Sequence, residues 1–589
     1  MIAGWGKIPP LRAFSRSSQT KNGCFYFMPT QPKSTFETDV CIVGTGPAGL
    51  SLARELSKTG LRICLLEAGA AKPNPVAADL DAGEVDSAHG YRAETFRVGR
   101  RRQLGGSAHL WNHEQRGLHG QYIRCLPLDD IDFEARDWVP LSGWPFTRQT
   151  LAPYYEQAHK ICRLGAFDRS AENWLQRAPG LAQPWQSETM ETIVSQFSDA
   201  RIYQTELLAE LNRASNVIFF PRSVVLSLRA DPTHPEAISA VEAVRADGVH
   251  FLVRAAQYVL AAGGLENARI LLLNEVTQKG GPGNQHDMVG RCFMDHPAIS
   301  LGTLVPASGA IYDRATFYDQ HCVDGHHIMG QLRLRSEVMR REKLLNACAV
   351  LVPHLKNLRA NLPAVIGQVA AKAPRFLMRK LRPELSSLAG EREDTSLSLR
   401  QRLLQGYYTE CVCGWSELTR KASRLGAIGV RSLVEQSPDP ANRIVLSEQR
   451  DAYGQRRIKL FWRWNEIDLR SIRRTQEIFG REFAAAGLGT FTPAPDASQG
   501  APRTFFSPHH FMGTTRMHTD PQCGVVDANS RVHGLQNLFV TGSSVFPTGG
   551  FANPTLTIIA LALRLADHLK DLAKLNCAPV FDLKAITVK

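Results

Sequence analysis

The sequence has no uninterrupted apolar run of about 18 residues, the length a membrane-spanning helix needs. Its best stretch, Leu556 to Leu563, is short and broken by Thr557. Acidic residues are missing from the first 36 positions, and Pro9–Pro10 fall where a secretory leader would carry its apolar centre. A basic disordered tail over 1–35 is expected there, with an organelle transit segment as the alternative. Cysteine is scarce: twelve in 589 residues, too few for a disulfide scaffold. No Cys-x-x-Cys occurs, and Cys411 and Cys413 alone supply too few ligands for zinc. No metal is expected, and the cysteines read as buried thiols in a reducing, cytoplasmic compartment. Hydrophobic residues at 43% and charged residues at 21% exclude a disordered or fibrous chain.

What is present is glycine in clusters and an excess of base. The net charge is +13, which favours anionic ligands or acidic surfaces as partners. No reader motif or stacking platform accompanies the arginines, so nucleic acid is not expected. The length allows roughly three to six domains, or fewer large ones.

The first informative segment is Thr38 to Leu50. The β-branched run Val40 to Val43 reads as a buried parallel strand and enters Gly44-x-Gly46-Pro47-Ala48-Gly49. A helix pattern follows from Leu50 to Lys58, then a second strand, Ile63 to Leu66, ending at Glu67. Glycines at this spacing give a tight turn, close approach to a pyrophosphate and close helix–strand packing. The helix N-terminus favours the anion. Glu67 stands where an acid would hold ribose hydroxyls, which favours FAD or NAD over NADP.

Three further segments are small-residue turns. The first runs from Arg97 to Trp111 and contains Gly105-Gly106-Ser107 and His109; its arginines offer charge neutralisation, or form a solvated basic loop. The second is Tyr258 to Gly264, a strand running into Ala262 and Gly263 before a helix through Asn267, Arg269 and Leu272. The third is C-terminal: His509-His510-Phe-Met-Gly-Thr-Thr-Arg516, Gly524-Val-Val-Asp527, Asn537 to Gly550, and Ala552-Asn553-Pro554-Thr555.

Together these pieces, spread over about 38–570, resemble the glucose–methanol–choline (GMC) family of FAD-dependent oxidoreductases. Ser142-Gly-Trp-Pro145 and Pro153-Tyr-Tyr155 are similar to its bacterial sugar- and polyol-dehydrogenase branch and, more distantly, to pyranose oxidases. The resemblance implies an α/β fold: a Rossmann-like FAD-binding domain interleaved with an α+β substrate domain on an antiparallel sheet. It adds Val224, Asp527 and Ser543 to the expected flavin-site residues. Pyranose oxidases attach flavin to a His just before the Trp of the glycine loop. Here that position is Leu110, with His109 one residue earlier, so dissociable, non-covalent FAD is expected.

Alcohol oxidation removes a hydroxyl proton and a hydride from the same carbon. Histidine titrates near neutrality and can take the proton. By the resemblance His510 is that base, and His509 points elsewhere if the segment is extended. Asn553 fits the family's second polar position. An amide orients the substrate oxygen but is no base near neutral pH.

The flavin domain is expected at 36–125, 195–300 and 500–575, and the substrate domain at 126–194 and 301–499, with a short tail over 576–589. Arg443 to Leu446 and Ile458 to Trp464, split by a turn at Asp451 to Gly454, read as an antiparallel hairpin. Asp468 to Ala486 reads as a helix. Residues 351–402 hold ten Lys/Arg against four Asp/Glu. A solvated helical insertion is expected, and a basic lid making peripheral membrane or partner contact is the alternative. Trp111, Trp462 and Trp464 read as core aromatics or as sugar-stacking rings. The expected activity is oxidation of a CH–OH group of a sugar, glycoside or other alcohol, with oxygen, a quinone or a partner protein as electron acceptor. The alternative is a flavin-containing lyase on the same scaffold.

Overall fold

The computed structural model describes residues 34–73, 75–86, 91–111, 121–275, 280–355, 415–417, 421–495 and 505–576. Most of the basic segment 351–402 lies outside them, as do Cys411, Cys413 and both expected tails apart from their inner edges.

Strand Ser34–Val43 becomes fully buried as it approaches the glycine turn. It lies between Ile63–Glu67 and His250–Leu260, parallel to both. The short helix Pro47–Ser57 makes the first crossover, starting with Pro47, whose missing N–H costs nothing at a helix N-terminus. Val217–Pro221 extends the parallel set on the Ile63–Glu67 side. Strand His250–Leu260 has two neighbours on its other flank. Its first residues pair antiparallel with Ile238–Arg245, and its last three pair parallel with Leu538–Val540. The result is a seven-stranded sheet, with its switch of direction on one strand.

The second layer is an eight-stranded sheet, antiparallel throughout. Helix Glu466–Ala485 covers the end made by Gly489–Pro493 and Ala298–Pro306. That helix starts two residues before the expected Asp468, because Asn465 and Asp468 form a capping box around its first turn. The expected hairpin forms as Arg443–Arg450 and Arg456–Phe461, and Gly83–Asp86 joins it as a parallel third strand. The described residues share one dominant apolar core spanning both large sheets.

Two expected boundaries move. Tyr122–Cys125 falls in the reach assigned to the flavin domain, and Met190–Asp199 is cut by the boundary at 194/195. The two strands pair with each other inside the antiparallel sheet, so the chain enters that layer earlier and leaves it later than expected. Met190–Asp199 pairs on both flanks within that one sheet, so its backbone groups are satisfied there.

Helix Thr555–Asn576 packs on both Pro47–Ser57 and Arg148–Ile161, so it ties the nucleotide turn to the other layer. Nearby, Arg136 and Glu435 form a fully enclosed bidentate pair, 299 residues apart, with N···O distances of 2.5 and 3.0 Å. Removing one partner strands a buried charge. Arg136→Met is expected to lower unfolding stability by about 3–5 kcal/mol in denaturant titration. The double variant Arg136→Met/Glu435→Leu is expected to recover most of it.

Candidate active site

The glycine turn is shaped by contacts that leave no room for side chains at two of its three glycines. A Cβ at Gly44 would lie 2.5 Å from the Ala261 carbonyl oxygen, and its φ is +107°. One at Gly49 would lie 2.0 Å from the Gly44 carbonyl oxygen. Gly46, by contrast, has nothing within 4 Å of the place a Cβ would take, and its φ is an ordinary −72°. Packing explains the outer two; the middle one borders open space at a helix N-terminus, the setting that receives a pyrophosphate.

Glu67 ends its strand with a buried carboxylate. Thr45 donates to Oε2 through its backbone N–H (3.1 Å) and its hydroxyl (2.7 Å), and the Gly69 N–H donates to Oε1 (2.7 Å). Burial pushes its carboxyl upward, against the pull of these donors and of Arg102. Val224 packs near the same strand end, with Leu80, Val244 and Ala68. The second glycine loop lies on the first: the Gly105 N–H donates to the Thr45 carbonyl (3.1 Å), and a Cβ at Gly106 would meet the Gly46 Cα at 2.7 Å. Ser107 is exposed, and the His109 Nε2–H donates to the Leu104 carbonyl at 2.8 Å.

Two arginines of this loop, Arg100 and Arg102, face inward to protein carboxylates. Arg102 bonds Glu266 (2.7 Å) and Asp81 (3.0 Å), Arg100 pairs with the same two acids, and Arg269 joins Glu266 to Asp451. Burial alone would raise the Glu266 carboxyl, but Arg102, Arg269 and Arg100 hold it down at about 2. The charge-neutralising role expected for Arg100 and Arg102 is thereby filled within the protein.

Ala262 and Gly263 start the helix Gly263–Leu273. Asn267 accepts from the Ala262 N–H and donates to the Thr541 carbonyl and Ser544 Oγ, closing this turn onto the C-terminal one. Gly264 serves the segment of His509 and His510 instead: a Cβ there would lie 2.0 Å from the Phe511 carbonyl oxygen. The Ser543 hydroxyl donates to that same carbonyl. The Asp527 carboxylate accepts the N–H groups of Asn529 and Arg531 within its own turn.

Two antiparallel bridges, Ala298 with Phe506 and Met294 with Met512, pin the segment that carries the histidines. Between them the chain is not extended. His509 has φ +64°, a left-handed conformation uncommon outside glycine. Its ring lies over Gly99. The backbone N–H of His510 donates to Asp295 Oδ1 at 2.9 Å. Its ring Nε2 lies 3.1 Å from Asn553 Nδ2, and its Nδ1 lies 3.0 Å from His296 Nδ1. The structure thus brings together the two residues expected to act, and adds Asp295 and His296, which the sequence reading passed over. A signal existed: Asp-His-Pro interrupts the apolar run Cys292 to Ile299, and buried acids need a reason.

Asn553 and Pro554 immediately precede the helix that begins at Thr555. Their loop is held by the two segments that carried the branch resemblance. The Trp144 indole N–H donates to Thr548 Oγ1 (3.1 Å), and Tyr155 bonds Thr557 (2.9 Å). Trp111, Trp462 and Trp464 are buried, the last two edge-on to one another at 5.1 Å.

A family model described as FAD dependent oxidoreductase matches residues 39–362, more than half of the chain, and one described as GMC oxidoreductase matches 438–562. The chain belongs to the FAD-dependent oxidoreductases and carries a GMC-type C-terminal domain. It is 23% identical over 617 residues to the fructose dehydrogenase large subunit of Gluconobacter japonicus, covering 91% of this chain and 98% of that one. It is 23% identical to the 6'''-hydroxyparomomycin C oxidase of Streptomyces lividus, over 90% of this chain and 92% of the relative. A pyranose 2-oxidase of Tricholoma matsutake is 45% identical over 58 residues, 10% of each chain. Formate oxidase shares the fold, with a TM-score of 0.53 at 16% identity, covering 93% of this chain and 100% of that one. The chain is therefore an oxidoreductase with FAD as its cofactor. The open face at Gly46, the enclosed Glu67 carboxylate and the small-residue turn at Ala262–Gly263 fit that group. Among the described residues no helix is long and apolar enough to cross a membrane, and no cluster of ligands for a metal ion occurs.

Two glycine variants separate packing from cofactor binding. Gly49→Ala is expected to cost about 2–3 kcal/mol of apoprotein stability in denaturant titration. Gly46→Ala is expected to leave apoprotein stability unchanged and to weaken FAD retention by about tenfold or more, read by flavin fluorescence on dialysis.

Proposed function

We propose that this enzyme oxidises a CH–OH group of a sugar or glycoside, with His510 as base and Asn553 as the residue that orients the substrate oxygen. The observation that carries this reading is the 3.1 Å contact between Asn553 Nδ2 and His510 Nε2, which supports a shared focus for the two side chains. An amide N–H donates to the hydroxyl oxygen, and the imidazole nitrogen takes the hydroxyl proton. Removing that proton builds negative charge on the substrate oxygen, which the Asn553 N–H stabilises. When bound, FAD supplies the acceptor for the hydride leaving the same carbon. The sugar class is supported by the names of the full-length relatives.

The cofactor is proposed to be held without a covalent bond. The His109 ring nitrogen is engaged with the Leu104 carbonyl, and Leu110 supplies no nucleophile. We propose Gly44, Gly46, Pro47, Ala48, Gly49, Glu67, Gly105, Gly106, Ser107, Val224, Ala262, Gly263, Ser543 and the Asn553–Thr555 turn as the flavin site. The electrons pass on to oxygen, a quinone or a partner protein.

Mixing the enzyme anaerobically with sugars, glycosides, polyols and aryl alcohols tests the substrate class. Sugars or glycosides are expected to bleach the flavin, and admission of air then reads out whether oxygen is the acceptor. Loss of colour with aryl alcohols alone would sink the sugar reading. His510→Ala is expected to slow bleaching by about 10²–10⁴-fold, and Asn553→Ala by about 10–10²-fold, with FAD still bound. Unchanged bleaching in His510→Ala would remove it as the base.

A further inference from the structure

The hydrogen-bond chain behind His510 has a direction, and its two ends determine it. At the far end His296 Nε2 lies 3.2 Å from the Gly549 carbonyl oxygen. A carbonyl only accepts, so Nε2 carries the proton. The His296 ring is fully enclosed and stays neutral: burial, and then repulsion from His510, push its pKa down to about 3. A neutral imidazole protonated at Nε2 is an acceptor at Nδ1. That Nδ1 faces His510 Nδ1 at 3.0 Å, so the hydrogen between them belongs to His510. With its Nδ1 protonated, neutral His510 is an acceptor at Nε2, where Asn553 donates at 3.1 Å. Each link then has one donor and one acceptor. Reversing either histidine sets two lone pairs or two protons against each other.

We infer that His296 is a positioning residue that fixes the tautomer of His510, keeping its proton on Nδ1 and presenting an unprotonated Nε2 to the substrate hydroxyl. The inference rests on the assignment of His510 as base.

The surroundings are built to hold this pair. Asp295 Oδ1 accepts from the backbone N–H groups of both His296 (2.7 Å) and His510 (2.9 Å). The two rings meet edge to face at 83°, with centroids 5.2 Å apart. A Cβ at Gly549 would lie 3.1 Å from His296 Nε2 and 2.7 Å from Met512 Cε, so the close carbonyl contact depends on glycine there. The other titratable groups around the pair are Asp295 and Glu435, which favour the charged imidazole, with His509 and Tyr91 on the far side of Asp295. Because His296 remains neutral, it can accept from His510 both before and after the substrate proton arrives.

The test uses FAD-loaded enzyme with a sugar that bleaches it. Bleaching rates at saturating substrate are measured against pH for the parent, His296→Ala, His296→Asn and His510→Gln. Ring ¹⁵N shifts of histidine-labelled protein, with His510 assigned by its loss in His510→Gln, read the tautomer directly. The parent is expected to show His510 protonated at Nδ1 and not at Nε2. His296→Ala is expected to mix the tautomers and to bleach about 10²-fold more slowly, with KM within about twofold. The Asn side chain places an acceptor oxygen where His296 has Nδ1, so His296→Asn is expected to restore the tautomer and bring the rate within about tenfold of the parent. An Nε2–H tautomer in the parent overturns the inference. So does a parental rate and pH profile in His296→Ala, or an equal loss in the Ala and Asn variants. A fast His510→Gln enzyme overturns the base assignment itself. A slow one beside an unaffected His296→Ala overturns the role of His296 alone.

Discussion

The arrangement of the candidate active site depends on one enclosed carboxylate. Asp295 is fully buried and takes four donors: the Tyr91 hydroxyl, the Ser507 hydroxyl, and the backbone N–H groups of His296 and His510. Hydrogen bonds to a charged acceptor are worth about 1.5–3 kcal/mol each, and a buried carboxylate short of partners is costly. The satisfied state therefore requires the loop at Tyr91, the start of the antiparallel sheet and the segment of His510 to meet at one point. The left-handed backbone at His509 is the local cost of that meeting, about 1–3 kcal/mol.

Much of the fold was legible because it is written in local rules. Val40 to Val43, the glycine spacing and Ile63 to Glu67 announce a strand–turn–helix–strand unit, since each glycine answers a backbone demand within a few residues. The hairpin around Gly454 and the capping box at Asn465 are equally local. His510 and Asn553 became legible only through resemblance, as a lone His and a lone Asn carry no pattern.

What stayed hidden pairs distant residues. His296 meets His510 across 214 positions, and Arg102 meets Glu266 across 164. No periodicity marks such partners, and their residue types are common on surfaces. The basic loop shows the consequence: read as sequence, Arg100 and Arg102 looked available to an anionic cofactor, whereas Asp81 and Glu266 engage both. The boundaries near 125 and 195 erred for a related reason, because strand pairing, not composition, decides which layer a segment joins.

The pairing of Leu538–Val540 with Tyr258–Leu260 has a consequence for synthesis. Parallel pairings between distant segments are slow to form, because loop closure precedes any reward. As the chain leaves the ribosome, the carboxyl end of His250–Leu260 is an unpaired apolar edge until Leu538–Val540 emerges. Asn267, whose amide bonds the Thr541 carbonyl across 274 residues, waits equally long. Until then the sheet that carries the Gly44–Gly49 turn keeps one open flank. A three-residue strand late in the sequence thus sets when this sheet can be completed.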